Sequence, residues 1–283
     1  MEERREGLPG PEEGNTMTPT LRSRQEMERF DAVGALYRGR YRFTFAAEFQ
    51  AERNRFIMDL LGGSPEMTAL DLGCGSGIML EELCRTFRRT AGIDISMEML
   101  SAVDRAALEG KGTVLLVQGD MEALPFREGA FDRVVCRSIL HHSDDEAAVL
   151  RALHRVLRPG GRLVIAEPMN DNPLFRLARW IMRRSRSYGR LHAIDRAFRA
   201  PALRRMVRAA GFEVERELRY GFIAYPLCDN TDLVPLLKWC PFRTHVARGL
   251  RALDRGLARI PGVRMLSWYG LMSAVKPVGR VKG

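Results

Sequence analysis

Apolar positions recur along this chain with two periods, and the change from one to the other divides it. From Arg24 to Leu61 they fall at helical spacing, first Phe30, Val33, Leu36 and Tyr37, then Phe49, Phe56, Ile57, Leu60 and Leu61, which predicts helices over 21–65. From Ala69 onward, short apolar runs alternate with helical ones. Strands are expected at 69–72, 89–94, 113–118, 131–136 and 162–166. Between them, helical faces are formed by Ile78, Leu80, Leu83 and Cys84, then by Met97, Met99, Leu100, Val103 and Leu108 behind a Ser96 N-cap, and last by Asp145–Leu157. This rhythm means β-α-β units, hence an α/β fold of three Rossmann-like layers whose mostly parallel sheet is covered on both faces.

Beyond Pro168 the pattern changes. Leu174, Leu177, Ala178, Ile181 and Met182 share one helical face and Arg176, Arg179 and Arg183 another. A helix over Pro201–Ala210 and a sixth strand starting in Gly211–Glu215 come next, and Leu266–Val275 reads as a final strand. Within the intervening insertion Val246, Leu250, Leu253, Leu257 and Ile260 stripe one face, with Arg248, Arg251, Arg255 and Arg259 opposite. Basic amphipathic helices of this kind rest on anionic membrane surfaces or expose solvated arginines. The chain therefore divides into a disordered tail (1–20), N-terminal helices covering the central turn (21–65), a core (66–168) and a C-terminal part that completes the sheet and caps the substrate side (169–283).

Composition narrows the class without changing that outline. With 46% hydrophobic and 28% charged residues the chain reads as globular, and it has neither an apolar leader nor a run approaching about 18 apolar residues, so a cytoplasmic protein is expected, at most peripheral to a membrane. Five cysteines (Cys74, Cys84, Cys136, Cys228, Cys240) without paired spacing suggest free thiols and no metal site. Charge is uneven: residues 169–283 carry 23 basic and 8 acidic side chains, against 12 and 16 in residues 61–168. A surface of that sign suits phospholipid, nucleic acid or an acidic substrate, although arginine outnumbers lysine 41 to 4, as codon bias alone would produce.

The chemistry is expected where parallel strands end, because ligands of open parallel sheets bind outside the carboxyl ends of their strands. Ala69-Leu-Asp-Leu-Gly-Cys-Gly-Ser-Gly77 is a strand running into a turn with glycine at alternate positions, Gly73, Gly75 and Gly77, and then into a helix whose free N–H groups face the turn. The other strand ends supply Asp94, Asp120 with Met121, Arg137 to His142, and Glu167. Asp94, about 20 residues past the turn, suits two ribose hydroxyls. Asp120 and Met121 suit an adenine amine and ring, Asp71 an ammonium, and the turn a carboxylate. Together these partners describe S-adenosylmethionine better than a dinucleotide.

In these blocks the chain resembles the class I S-adenosylmethionine-dependent methyltransferases, and among them the small-molecule group that includes ubiquinone/menaquinone C-methyltransferases. The matching residues are Leu70–Gly77, Gly92–Ser96, Gln118–Phe126, Phe131–Cys136 with Leu140–His142, and Leu157–Leu163. The resemblance implies a seven-stranded sheet with its last strand antiparallel, and cofactor contacts at Asp71, Gly73, Gly75, Gly77, Asp94, Ile95, Asp120, Met121 and Arg137. It fades after Pro168, where substrate choice is made.

Methyl transfer from a sulfonium needs alignment of two reactants and exclusion of water, with a base only where the acceptor must lose a proton. His141, His142 and Glu167 are the candidate bases. Tyr37 and Tyr41 either close on the cofactor or pack as core aromatics, and Tyr188 and His192 are candidates to line an acceptor pocket. The expected acceptor is small and hydrophobic or lipid-like. A dehydrogenase would carry G-x-G-x-x-G. A nucleic-acid amine methyltransferase would carry Asp/Asn-Pro-Pro-aromatic after the fourth strand, where this chain has Cys136-Arg-Ser-Ile-Leu-His141. A non-catalytic binding protein would have no need of intact glycines and acids.

Overall fold

The computed structural model describes residues 20–32, 43–173, 176–177, 197–229, 239–260 and 262–279. Two helices come first, α1 (Leu21–Asp31) and α2 (Thr44–Leu61), followed by β1 (Thr68–Leu72), α3 (Ile78–Thr86), β2 (Arg89–Asp94), α4 (Met97–Ser101), α5 (Arg105–Leu108), β3 (Thr113–Gln118) and β4 (Phe131–Arg137). Then come α6 (Glu146–Val156), β5 (Leu157–Pro168), α7 (Ala200–Ala209), β6 (Glu213–Tyr220), α8 (Arg243–Leu257) and β7 (Tyr269–Val275). The seven strands lie in the order β3-β2-β1-β4-β5-β7-β6. Strands β1 to β5 pair in parallel, and β7 runs antiparallel between β5 and β6. This is the architecture expected from the sequence.

Strand alternation explains the two apolar layers. Val134, Leu163 and Ile165 face α6 and α7 in one cluster with Leu150, Leu153 and Leu203, whereas Val135, Val164 and Ala166 face α2 in another with Phe45, Phe49 and Ile57. Each of these side chains is almost wholly removed from water, worth about 1.5–3 kcal/mol apiece.

Several boundaries differ from expectation for local reasons. The single helix expected over Met97–Leu108 is two, because the Asp104 side chain accepts from the Ala107 N–H and caps a new start. Strand β5 extends back to Leu157, with a register shift between Phe131 and Arg133 absorbing the Arg158-Pro-Gly-Gly161 stretch. The last strand begins at Tyr269 and not Leu266, behind a 3-10 turn over Val263–Leu266.

The larger correction concerns α8, whose arginine stripe is turned toward the protein. Arg248 and Arg251 pair with Glu48, and Arg251 and Arg255 with Glu52, across to α2 (Arg255–Glu52 2.6 Å). Asp254 on the same side is buried and accepts the N–H groups of Phe222, Ile223 and Ala224 at 2.8–3.1 Å. No helix of the described residues is long and apolar enough to cross a membrane. Val33, Leu36, Tyr37, Tyr41, Leu174, Ala178, Arg179, Ile181, Met182, Arg183, Tyr188 and His192 lie outside the described residues.

Candidate functional site

The parallel register of β1, β2 and β3 sets their ends side by side. Asp71 pairs with Gly92, two residues before Asp94, and Asp94 with Gln118, two residues before Asp120, so the three acids lie in a stagger at the carboxyl ends of three neighbouring strands. Between the first two lies the glycine turn. Gly73, Gly75 and Gly77 all have left-handed φ (+65°, +52°, +85°), and a Cβ on Gly73 would stand 2.4 Å from Ile139 Cγ1. Gly77 is the N-cap of α3 and brings no capping side chain, which leaves the first N–H groups of that helix for a ligand.

Asp94 is held to this turn from both sides. One carboxylate oxygen accepts the Gly75 N–H (2.7 Å) and the other the Ser96 N–H (3.0 Å). Burial raises its pKa, and the hydrogen bonds from Ser96, Gly75 and Ile95 oppose the rise. Asp71 is more isolated. Burial pushes its carboxyl up to about 7, against the attraction of Arg137 and with the repulsion of Asp94, and its Oδ2 has no hydrogen-bond partner among the described residues. The amides of Cys74, Gly75 and Gly77 already donate to Ile93, Asp94 and Cys74, and Leu80 bonds Asp71, so the unpartnered Oδ2 of this buried carboxyl is the place for a ligand cation.

At the next strand ends, Asp120 accepts the Glu122 N–H (3.0 Å) and half-buried Met121 packs on the core. The Ile95 carbonyl accepts from the Gln118 side chain (3.2 Å), which ties the ends of β2 and β3 together. Arg137 at the end of β4 donates to Gln50 Oε1 (3.1 Å) and Asn54 Oδ1 (3.3 Å) of α2.

Beyond Arg137 the chain turns sharply through Ser138, a non-glycine residue at φ +55°, and Glu167 from β5 organises the loop on its far side. One Glu167 oxygen accepts the Ile139 and Leu140 N–H groups (2.9 and 2.8 Å), and the other meets His141 Nδ1 at 2.6 Å. Glu167 is completely buried with both oxygens engaged by His141 and the loop backbone, an arrangement that orients the histidine. His142, its ring 4.1 Å from that of His141, pairs through Nδ1 with Glu26 of α1 (3.2 Å) and packs edge-on against Phe30. Burial and the neighbouring His141 lower its pKa. Glu26 is also lowered, because the His142 hydrogen bond and nearby arginines outweigh its burial. A neutral imidazole donating its N–H to an ionised carboxylate satisfies both directions.

Helix α1 spans the edge from one side to the other. Asp31 accepts from Ser96 Oγ at the end of β2, while Glu26 meets His142 and Arg22 donates to the His141 carbonyl (3.4 Å) beyond β4. Sequence reasoning did not find Glu26 or Asp31, nor a buried polar group under the loop: Gln50, Arg53 and Asn54 of α2, Ser138 and Tyr269. Arg53 donates to Gln50 and lies 5.0 Å over the Tyr269 ring, whose hydroxyl meets Ser138 and the Ala166 carbonyl. Gln50, Arg53 and Asn54 stand at helical spacing on the same face as Phe49 and Ile57, and polar residues on an otherwise buried face were the available signal.

Other chemistries find little support in the side chains. Among the described residues no group of three or more His, Cys, Asp or Glu could hold a metal. Burial raises the Cys74 and Cys136 thiols well above their ordinary value, which removes them as nucleophiles.

Residues 70–165 match the family described as methyltransferase domain. The chain is 33% identical over 159 residues to a ubiquinone biosynthesis O-methyltransferase of Sodalis glossinidius, covering 52% of this chain and 60% of that one. The chain spans about half the length of the curated relatives it matches. Among solved structures it is similar to a putative methyltransferase from Bacillus halodurans, with 24% identity, a TM-score of 0.57, and 80% of this chain and 99% of that one covered. It is also similar to the [4+2]-cyclase SpnF, with 18% identity, a TM-score of 0.64, and 97% and 100% covered. Both likenesses concern the fold.

Proposed function

We propose that this chain, whose residues 70–165 match the methyltransferase-domain family, is a class I S-adenosylmethionine-dependent methyltransferase that transfers a methyl group to a small, hydrophobic acceptor. The carrying observation is Asp71: a buried carboxyl at about 7, one oxygen unpartnered, at the root of an open glycine turn. An ammonium beside it would supply the missing partner and draw the pKa down, so the residues present fit an amino-acid-bearing nucleoside.

Asp71 would hold the ammonium and the N-terminus of α3, which has no capping side chain, the carboxylate. Asp94 would take the ribose hydroxyls, with Asp120, Met121 and Ile95 around the adenine, and Arg137 would balance the charge of Asp71. When bound, S-adenosylmethionine supplies a methyl already activated by its sulfonium. The protein's remaining tasks are to align an acceptor and, where that acceptor is a hydroxyl or acidic carbon, to take its proton. His141 is the proposed base: with Nδ1 committed to Glu167, Nε2 is the nitrogen left to receive a proton, and the buried carboxylate stabilises the imidazolium that results. Glu167 is thus a positioning residue, and His142, tied to α1, helps hold the lid over the pair.

A hydrophobic acceptor is supported by a cavity of about 230 Å³ between α2, the β6 edge and α8, walled by Phe49, Phe56, Leu218, Tyr220 and Leu271. Phe49 adjoins Gln50, which bonds Arg137 at the cofactor edge. A nucleic-acid substrate lacks its amine-holding loop after β4. The fold alone does not select the reaction, as the cyclase among its likenesses illustrates. The test is therefore calorimetry with S-adenosylmethionine and S-adenosylhomocysteine, followed by incubation with methyl-labelled donor and a cell extract. Binding with transfer of label to an extractable apolar product is expected. Binding without transfer would point to a non-methylating use of the site, and no binding would remove the reading.

A further inference from the structure

Helix α8 is amphipathic with its faces reversed. The charged side pairs with α2, where Arg248, Arg251 and Arg255 meet Glu48 and Glu52, the Arg248 and Arg255 side chains staying 57% and 52% exposed, and Asp254 is buried. The apolar side is turned out. Val246, Leu253 and Ile260 are 41%, 49% and 49% exposed at seven-residue intervals, and Phe242, on the same line, is 69% exposed. Trp239 (85%) and Met265 (58%) continue the exposure at either end. Six of the ten large apolar side chains exposed among the described residues fall in this one stretch, so it is a patch and not scatter. Gly249 and Gly256 lie along the same line, and a Cβ added at either would meet nothing within 4 Å.

Charge decides what such a face fits. Between Trp239 and Trp268 the only acid is Asp254, which is buried, while Arg243 and Arg264 stand exposed near the two ends of the apolar line. A second copy of the chain would bring like charges together across the whole contact, which costs affinity. An anionic phospholipid surface meets both requirements at once: acyl chains for the apolar line and phosphates for its rim, with aromatics at the headgroup level.

We propose that the outward face of α8 and its flanks dock this protein on an anionic bilayer, with Phe242, Leu253 and Ile260 entering the headgroup boundary and Arg243 and Arg264 meeting lipid phosphates. The contact is made by the apolar face, with the arginine stripe of the helix used internally to hold it in place. It rests on this surface alone and is independent of the reaction proposed above.

The test is sedimentation of the full chain with vesicles of phosphatidylcholine, with and without about one third phosphatidylglycerol. Wild-type protein is expected to pellet with the anionic vesicles at low salt and to be released as salt rises. The double variant Phe242→Asp/Leu253→Asp changes only exposed positions and should lower partitioning at least about tenfold. Arg264→Glu should lower it about fivefold, from roughly 1 kcal/mol per basic residue at the surface. Circular dichroism and S-adenosylhomocysteine binding should not change in any of these variants. The proposal is overturned if wild type stays in the supernatant at low salt, or if the aspartate variant pellets as wild type does. It is equally overturned if sedimentation velocity shows a wild-type dimer that the aspartate variant dissociates.

Discussion

The cofactor edge and helix α8 are both amphipathic arrangements, yet one is built from neighbours in sequence and the other from partners far away. At the edge, two of the acids are satisfied within their own or the adjoining β-α unit: Asp94 by Gly75 and Ser96, Asp120 by Glu122. Helix α8 takes its orientation from Glu48 and Glu52, about two hundred residues earlier in the chain. The same kind of pattern therefore carries different information in the two regions. Periodicity divides a helix into two faces, and only the surface it meets decides which face is inside.

The largest effects should come from breaking the local set. Asp94→Ala removes the acceptor that ties β2 to the turn, and Gly75→Val places a β-branched side chain at φ +52° with its Cβ 3.2 Å from Met99 Cε. Each should abolish binding of S-adenosylhomocysteine, a loss of roughly a thousandfold or more, equal to about 4 kcal/mol. Calorimetry showing normal affinity in either variant would falsify the assignment of the edge.

Next is Glu167, which carries three hydrogen bonds in full burial. Glu167→Ala leaves two backbone N–H groups and His141 without their acceptor and should cost about 3–5 kcal/mol in denaturant unfolding. His141→Gln should leave the fold and cofactor affinity in place and lower turnover by about a hundredfold. If His141→Gln instead turns over normally, the base lies elsewhere or none is needed.

Asp71 sharpens the comparison through pH. Its carboxyl titrates at about 7 in the folded protein against 3.8 ordinarily, so between those values the folded chain holds a proton that the unfolded chain has released. Its contribution to stability is complete below about pH 3.8 and falls as pH rises through about 7, at up to about 1.4 kcal/mol per pH unit. Asp71→Asn should flatten that slope and raise the melting temperature at pH 8 while weakening cofactor binding. In wild type, affinity for the ammonium-bearing cofactor should rise with pH until about 7, where Asp71 is ionised. An affinity independent of pH between 6 and 8 would dissociate Asp71 from the ammonium.

The smallest effect belongs to the distant set. Glu48→Gln with Glu52→Gln removes the negative charges that pair with the α8 arginines, partly exposed pairs that together should contribute about 1–2 kcal/mol. The cofactor edge should bind as before. A change in cofactor affinity as large as that of Asp94→Ala would show that the two regions are not separable.

The edge was legible because its residues are fixed by strand ends, and strand ends are marked in sequence by the switch from period two to glycine or aspartate. Asp71, Asp94 and Asp120 could be placed side by side from the β-α rhythm alone. The polar group beneath it was not. Gln50, Arg53 and Asn54 meet Arg137 and Tyr269 only because α2 lies across β4 and β7, and no spacing within α2 names those partners. Glu167 was visible as a strand end, but its burial, which makes it an orienting group for His141, depends on the loop after β4 folding over it.

What the amino-acid sequence determined by itself was the set of elements, their parallel order and the polar residue at each strand end, because backbone sterics and alternation act over a few residues at a time. The tertiary structure alone decided which acid was left without a partner, which carboxylate became an orienting group, and which face of α8 met water. Those outcomes depend on burial and on charges contributed by remote segments, and neither quantity exists until the chain has packed.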